Sequence, residues 1–111
     1  TAIGEVAGKN IIIVDDMVDT AGTLAKAANV LKDMGAVSVR ACATHPVFSG
    51  SAYEKIANSA LEEVIVSDTI PLSNDPAKDK SKITVLTMAK MFADIIRKVY
   101  NYEEISSSFI N

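Results

Sequence analysis

Four apolar residues in a row, the IIIV of residues 11–14, constrain the fold of this chain more than any other feature. A strand with one face in water alternates apolar and polar side chains, so an uninterrupted run predicts a strand buried on both faces. Two adjacent carboxylates, Asp15 and Asp16, end the run, and the short turn DTAGT follows at residues 19–23. The pattern therefore predicts a buried strand that delivers acidic and hydroxyl side chains to one place.

Helix and strand patterns alternate along the rest of the chain. Apolar residues at helical spacing, closed by Gly35, predict a helix over residues 22–34. The other predicted elements are strands over residues 37–44, 62–68 and 83–88, a short helix over 51–59, a surface loop over 70–82, and a last helix whose apolar face carries Met88, Met91, Phe92, Ile95, Ile96 and Val99. This alternation predicts an α/β fold, a parallel sheet flanked by helices, which binds ligands at the carboxyl ends of its strands.

Composition excludes several classes of protein. The chain has 111 residues and a net charge of −3, which suits one small domain or part of a larger one and argues against a broad nucleic-acid-binding surface. No apolar run approaches the ~20 residues that a membrane-spanning helix needs. Cys42 is the single cysteine, so we interpret it as a small core residue. With no signal-peptide pattern, these features predict a protein of the reducing cytoplasm, without a nucleic-acid or membrane partner.

The turn that opens the first helix is suited to a phosphate. A helix N-terminus presents unpaired N–H groups and a partial positive charge. Gly22 allows a ligand to approach closely, and Thr20 and Thr23 add hydroxyl donors. Asp15 and Asp16 would repel a phosphate but suit sugar hydroxyls or a hydrated magnesium ion. A ribose 5-phosphate satisfies both halves of the segment.

The same residues resemble a known family. The run IIIVDDMVDTAGTL looks like the phosphoribosyl-binding loop of type I phosphoribosyltransferase-fold proteins. The segments GAVSVRACATHPVFSGSA, VIVSDTIPL and EEISSSF together resemble ribose-phosphate pyrophosphokinases of the bacterial type, and the resemblance extends over essentially the whole chain. It implies an incomplete type I phosphoribosyltransferase-like fold, in which residues 1–100 are the C-terminal part of that domain and residues 101–111 a C-terminal tail.

The resemblance implies a role for each residue of the loop. Asp15 and Asp16 would hold the ribose 2- and 3-hydroxyls. The 5-phosphate would be wrapped by Asp19, Thr20, Ala21, Gly22 and Thr23. Enzymes of this family transfer diphosphate from ATP to the ribose C1 hydroxyl, with Mg²⁺ bridging the phosphates, and so make 5-phosphoribosyl 1-pyrophosphate and AMP.

The rest of the family's machinery is expected upstream of this loop. The resemblance places the nucleotide site, the metal-binding residues and the catalytic Lys and Arg there, so we expect no catalytic and no metal-binding residue in this fragment. Lys9 lies before the first strand and Lys26 lies one turn inside the helix, so neither is expected to reach the loop. The chain on its own is therefore predicted to be inactive.

The resemblance assigns assembly and regulation to the tail. Members of the family build a hexamer from dimers and use a tail site at subunit contacts for ADP or phosphate. Here that site implies Ser106, Ser107, Ser108 and Phe109. The segment SSSF is more polar than its counterpart in the family, and a frayed terminus is the alternative.

Other interpretations of these residues stay open. The chain could come from a phosphoribosyltransferase or from a non-catalytic paralogue of the same fold. A buried strand ending in two aspartates also opens response-regulator receiver domains, where Asp68 would take a phosphate and Lys90 would follow a later strand. His45, the single histidine, is interpreted as a loop-structuring residue, with a catalytic base as the alternative. For Asp19 or Thr20, a helix cap is the alternative role.

Overall fold

The computed structural model describes residues 5–100 and 104–107. Strands and helices alternate over most of this length, as the sequence predicts. In chain order the elements are β1 (Asn10–Val18), α1 (Gly22–Asp33), β2 (Ser38–Pro46), α2 (Ala52–Ala57), β3 (Leu61–Ser67), β4 (Ile83–Leu86), α3 (Met88–Tyr100) and β5 (Glu104–Ser107). Residues 70–82 form the predicted surface loop, in which no residue is buried.

The strands form one parallel sheet in the order β4-β3-β2-β1-β5. β1 pairs with β2 on one side and with β5 on the other, so the strand predicted from the IIIV run lies inside the sheet. α1 connects β1 to β2, and α2 connects β2 to β3. Each crossover returns the chain to the end of the sheet at which the next parallel strand must begin. The predicted α/β class is confirmed.

Both faces of the sheet are covered, which explains the uninterrupted apolar run of β1. Ile11 and Ile13 join the core beneath α1 and α2, whereas Ile12 packs on the opposite face with Cys42 and Ile65. Each of the three isoleucines is at most 4% exposed. Successive side chains of a strand point to opposite faces, so only a strand covered on both sides removes all three from water.

β1 is longer than the sequence predicts. The apolar run ends earlier, but the strand continues to Val18 because its backbone stays paired with β2, with Met17 opposite His45. Asp15 and Asp16 therefore lie within the strand and not after it. Hydrophobic patterning marks a strand only where buried residues follow one another, and here the exposed Asp16 and Met17 interrupt the pattern before the buried Val18.

The tail contributes a strand that the sequence pattern does not reveal. It shows no clear period, yet β5 pairs in parallel with residues 11–14 of β1. A short edge strand is held by the hydrogen bonds of its neighbour and needs little pattern of its own. Among the residues predicted for a regulatory site, Ser106 and Ser107 lie in β5. Ser108 and Phe109 lie outside the described residues, and the regulatory role stays a prediction.

α3 begins at a side-chain cap, because Lys90 N donates a 3.3 Å hydrogen bond to Thr87 Oγ1. The sequence predicted that one apolar face of α3 would be buried, but two residues of that face are exposed. Ile96 is 67% exposed and Met88 is 36% exposed. These two residues do not join the described core, because the described elements leave that part of the helix facing solvent. The side chains of the other four predicted residues lie outside the described part, namely Met91, Phe92, Ile95 and Val99.

Among the described residues, no helix, α3 included, has the length and apolar character to cross a membrane.

Cys42 is a buried core residue, as predicted, and burial controls its chemistry. Loss of hydration, together with the nearby Asp94 carboxylate, raises the pKa of the Cys42 thiol from its usual 9.0 to about 11. The thiolate is the reactive form, so iodoacetamide at pH 8 should alkylate the native chain about 100-fold more slowly than the urea-unfolded chain. Equal rates, followed by mass spectrometry, would show that Cys42 is not held in the core.

The same shift has a consequence for stability. Folding raises this pKa, so the folded chain holds the thiol proton more tightly than the unfolded chain. The contribution of Cys42 to the free energy of unfolding is therefore fully present below pH 9 and is lost as the pH rises towards 11.

Candidate functional site

The loop between β1 and α1 makes a sharp turn at Ala21. This residue adopts a left-handed backbone conformation, with φ 65° and ψ 7°, a region that residues with a side chain seldom occupy. It is buried and directly precedes Gly22, the first residue of α1. Such conformations persist only where the surrounding structure imposes them, and they cluster at functional sites.

The N-terminus of α1 has no side-chain cap. The alternative role of Asp19 or Thr20 as a helix cap is therefore wrong, because neither side chain satisfies the first N–H groups of the helix. The first turn is otherwise regular, with Ala25 N donating to Ala21 O at 2.9 Å. An uncapped helix start carries unpaired donors and a partial positive charge, and these two properties favour an anion.

A cleft of about 340 Å³ lies over this turn, and its wall is one continuous segment, residues 15–24. All residues predicted to bind ribose 5-phosphate line it, namely Asp15, Asp16, Asp19, Thr20, Ala21, Gly22 and Thr23. The structure thus brings the predicted site residues together around one space, and the identity of their ligand stays a prediction.

The segment that follows β2 holds the loop in place through hydrogen bonds. Phe48 N donates to Val18 O at 3.0 Å, and Ser49 N donates to Asp19 O at 2.9 Å. The Ser49 hydroxyl also donates to the Asp19 carboxylate. Asp19 therefore fixes the loop through its side chain as well as lining the cleft. Ser49 is a positioning residue that the sequence analysis missed, and its only signal was its place in a loop at the carboxyl edge of the sheet.

The two carboxylates of β1 have different surroundings. Asp15 Oδ1 accepts a 2.8 Å hydrogen bond from Asp16 N, which orients the Asp15 side chain. The Asp16 side chain is 80% exposed, and its Oδ1 lies 4.0 Å from His45 Nε2. An ionised carboxylate can accept about four hydrogen bonds. Both acids can therefore accept further hydrogen bonds from the hydroxyl groups of a ligand.

His45 is held beside Asp16 by a polar network at the carboxyl ends of β2 and β3. His45 Nδ1 lies 3.1 Å from Thr69 Oγ1, and Thr69 N donates to the buried Ser67 Oγ at 3.1 Å. The Ser67 hydroxyl in turn donates to Thr44 O. His45 lies in β2 and not in the loop that the sequence predicted after it, because the pairing of β2 with β1 continues to Pro46. Its second ring nitrogen faces the acidic end of the cleft.

No group of three or more His, Cys, Asp or Glu side chains converges to hold a metal ion in the described part of the chain. Asp15 and Asp16 provide carboxylate oxygens, the ligand type that magnesium prefers.

The chain is similar to known proteins over nearly all of its length. Residues 1–110 match the family model described as phosphoribosyl synthetase-associated domain. The chain is 59% identical over 108 residues to the ribose-phosphate pyrophosphokinase of Wolinella succinogenes, covering 97% of this chain and 34% of that protein. It is 57% identical over 107 residues to the ribose-phosphate pyrophosphokinase of Shewanella oneidensis, covering 96% and 34%. The resemblance stated from the sequence is confirmed, and a receiver domain is not favoured.

The fold has a solved counterpart. It is similar to the crystal structure of phosphoribosylpyrophosphate synthetase from Mycobacterium smegmatis, with a TM-score of 0.72 and 42% identity, covering 90% of this chain and 33% of that one. The chain spans about a third of the length of these relatives. The matching model is described as an associated domain and not as a C-terminal part, so it does not support the predicted C-terminal position, which stays a prediction.

Proposed function

Because this chain belongs to the phosphoribosyl synthetase-associated domain family, we propose that it forms the ribose 5-phosphate-binding part of a ribose-phosphate pyrophosphokinase. The longer enzyme would transfer diphosphate from ATP to ribose 5-phosphate and release 5-phosphoribosyl 1-pyrophosphate and AMP. The names of the two bacterial relatives support this reaction class.

One observation carries the proposal: the wall of the cleft runs without a break from two carboxylates to an uncapped helix N-terminus. The acidic end suits ribose hydroxyls, since an ionised carboxylate accepts hydrogen bonds and donates none. The helix end suits a phosphate, because the N–H groups of the first turn and the threonine hydroxyls donate. A ligand with vicinal hydroxyls at one end and a phosphate at the other matches this order.

In this arrangement each residue has a separate task. Asp15, oriented by the backbone of its neighbour, and Asp16, beside His45, would accept hydrogen bonds from the 2- and 3-hydroxyls. Thr20 and Thr23 would donate to the phosphate together with the start of α1. Holding the sugar at both ends fixes its C1 hydroxyl, and a fixed acceptor is the contribution that positioning makes to phosphoryl transfer.

The remaining parts of the reaction are proposed for the longer enzyme and not for this chain. ATP, Mg²⁺ accompanying its phosphates, a homo-hexamer, and regulation by ADP or phosphate follow from the family resemblance. A cytoplasmic location is proposed on the same ground.

Chemical-shift mapping of the 15N-labelled 111-residue chain tests the proposal. Ribose 5-phosphate should first perturb the amides of residues 15–23, because the groups that would hold it are contiguous there. Ribose alone should perturb the acidic end more weakly, and inorganic phosphate alone should perturb the helix end. Shifts centred elsewhere, for example on the loop of residues 70–82, would overturn the proposed function.

A further inference from the structure

The wall of the cleft has an unfavourable charge for a phosphate. Three carboxylates line it, and none of its lining residues is Lys or Arg. A helix N-terminus contributes about +0.5 of an elementary charge, whereas a phosphate monoester carries about −1.5 to −2 at pH 7. A cation near the first turn of α1 would therefore strengthen binding of a sugar phosphate.

Lys55 of α2 provides a cation at this place. A Cβ atom built on Gly22 would lie 3.5 Å from Lys55 Nζ and 3.8 Å from Thr20 Oγ1. Gly22 is the first residue of α1, so the ammonium group and the threonine hydroxyl approach the same turn of the helix. The lack of a side chain at position 22 leaves the space in which they do so. The sequence analysis weighed only Lys9 and Lys26 as cations near the loop, and the packing of α2 beside α1 brings Lys55 there.

The surroundings of Lys55 favour a ligand as its partner. α2 is anchored by three buried residues, Ala52, Tyr53 and Ile56, and its entry is tied to the loop by the hydrogen bonds of Ser49. The backbone that carries Lys55 is therefore held relative to the cleft. Within the described part of the chain, Lys55 Nζ makes no hydrogen bond or ion pair, and an ammonium group offers three donors to a ligand.

We propose that Lys55 binds the phosphate of the ligand and supplies the positive charge that the loop itself lacks. This assignment rests on the proposed function, because it concerns the same site. An ammonium group on a flexible stem is a point charge that follows a phosphate without strict geometry. The assignment narrows the ligand class to sugars with a dianionic phosphate, since an uncharged sugar has no charge for the ammonium group of Lys55 to attract.

The test measures ribose 5-phosphate affinity by the same NMR titration in Lys55→Gln, Lys55→Arg and the control Lys90→Gln. Glutamine removes the charge and keeps a polar side chain, and Lys90 is an exposed lysine of α3. Lys55→Gln should bind about tenfold more weakly, Lys55→Arg within about threefold of wild type, and Lys90→Gln as wild type. The Lys55→Gln deficit should shrink in about 0.5 M salt, because salt screens an exposed charge and would not change a packing defect.

Two outcomes separate this assignment from the proposed function. If wild type binds at residues 15–23 and Lys55→Gln binds equally tightly at low salt, the Lys55 assignment is overturned and the proposed function stands. If wild type does not bind there at all, the proposed function fails and the Lys55 assignment fails with it. If the substitution Lys55→Gln shifts amide signals far from α2 and the loop, the variant is structurally perturbed and Lys55→Met is tested in its place. The proposal then requires that Lys55→Met also bind ribose 5-phosphate about tenfold more weakly than wild type.

Discussion

The purified 111-residue chain should release no AMP above background when it is incubated with ATP, ribose 5-phosphate, magnesium and inorganic phosphate. The transition state of diphosphoryl transfer spreads negative charge over the transferring oxygens, and cations must meet it there. Three carboxylates and no cationic residue line the cleft, and Lys55 is at the end proposed for the 5-phosphate. One missing cationic group costs about 10³–10⁵ in rate in such enzymes, so turnover should fall below detection.

The positive control is the full-length ribose-phosphate pyrophosphokinase of Wolinella succinogenes, which is 59% identical to this chain over the shared region. It should release AMP under the same conditions and at the same molar concentration. Turnover that follows the 111-residue chain through every purification step, and that disappears in the variant Asp15→Asn with Asp16→Asn, would contradict the prediction. It would mean that this chain carries its own catalytic residues.

Asp15→Asn combined with Asp16→Asn should weaken ribose 5-phosphate binding about 100-fold or more. Each substitution removes a charged acceptor from a ribose hydroxyl, and a hydrogen bond to a charged group is worth about 1.5–3 kcal/mol. The fold should tolerate the change, because the Asp16 side chain is 80% exposed. Asparagine at position 15 also keeps an oxygen for the 2.8 Å hydrogen bond from the next backbone N–H. Isothermal titration calorimetry measures the loss.

Inorganic phosphate gives the opposite expectation for the same variant. The two carboxylates repel a phosphate at the helix end, so their removal should leave phosphate affinity unchanged or raise it. The matched control is Asp75→Asn with Asp79→Asn, which removes the same charge from a distant loop while each asparagine keeps the oxygen that accepts a backbone N–H. Equal loss of ribose 5-phosphate binding in both double variants would show that the roles given to Asp15 and Asp16 are wrong.

Local sequence patterns were sufficient to predict the strand and the helix that flank the site. The IIIV run predicted a strand covered on both faces, because successive side chains of a strand point to opposite faces and all three isoleucines are buried. The helix predicted over residues 22–34 is α1, Gly22–Asp33. It ends where expected because Gly35 adopts a φ of 100°, which opposes helix continuation. The residues of the cleft are contiguous in sequence, so predicting the strand and the helix was enough to place them together.

The edge strand of the sheet and the packing of the last helix were less predictable from the sequence. β5 has no hydrophobic period, and pairing with β1 alone makes it a strand. Ile96 belongs to a helical apolar pattern, yet it remains 67% exposed because packing, and not periodicity, decides which side of a helix is covered. The family and the roles it implies for the loop came from resemblance to known proteins, and not from any physical property of single residues.

By itself the sequence determined the α/β class, the buried strand, the first helix and the acidic, hydroxyl-rich loop between them, because each of these depends on residues a few positions apart. Only the tertiary structure decided which side chains from other elements reach that loop: Ser49 on Asp19, His45 beside Asp16, and Lys55 against Gly22. These three are single polar residues in loops, at a strand end or on a short helix. Isolated polar residues have no periodicity that reports their neighbours, and their positions depend on how α2 and the carboxyl edge of the sheet pack around the loop.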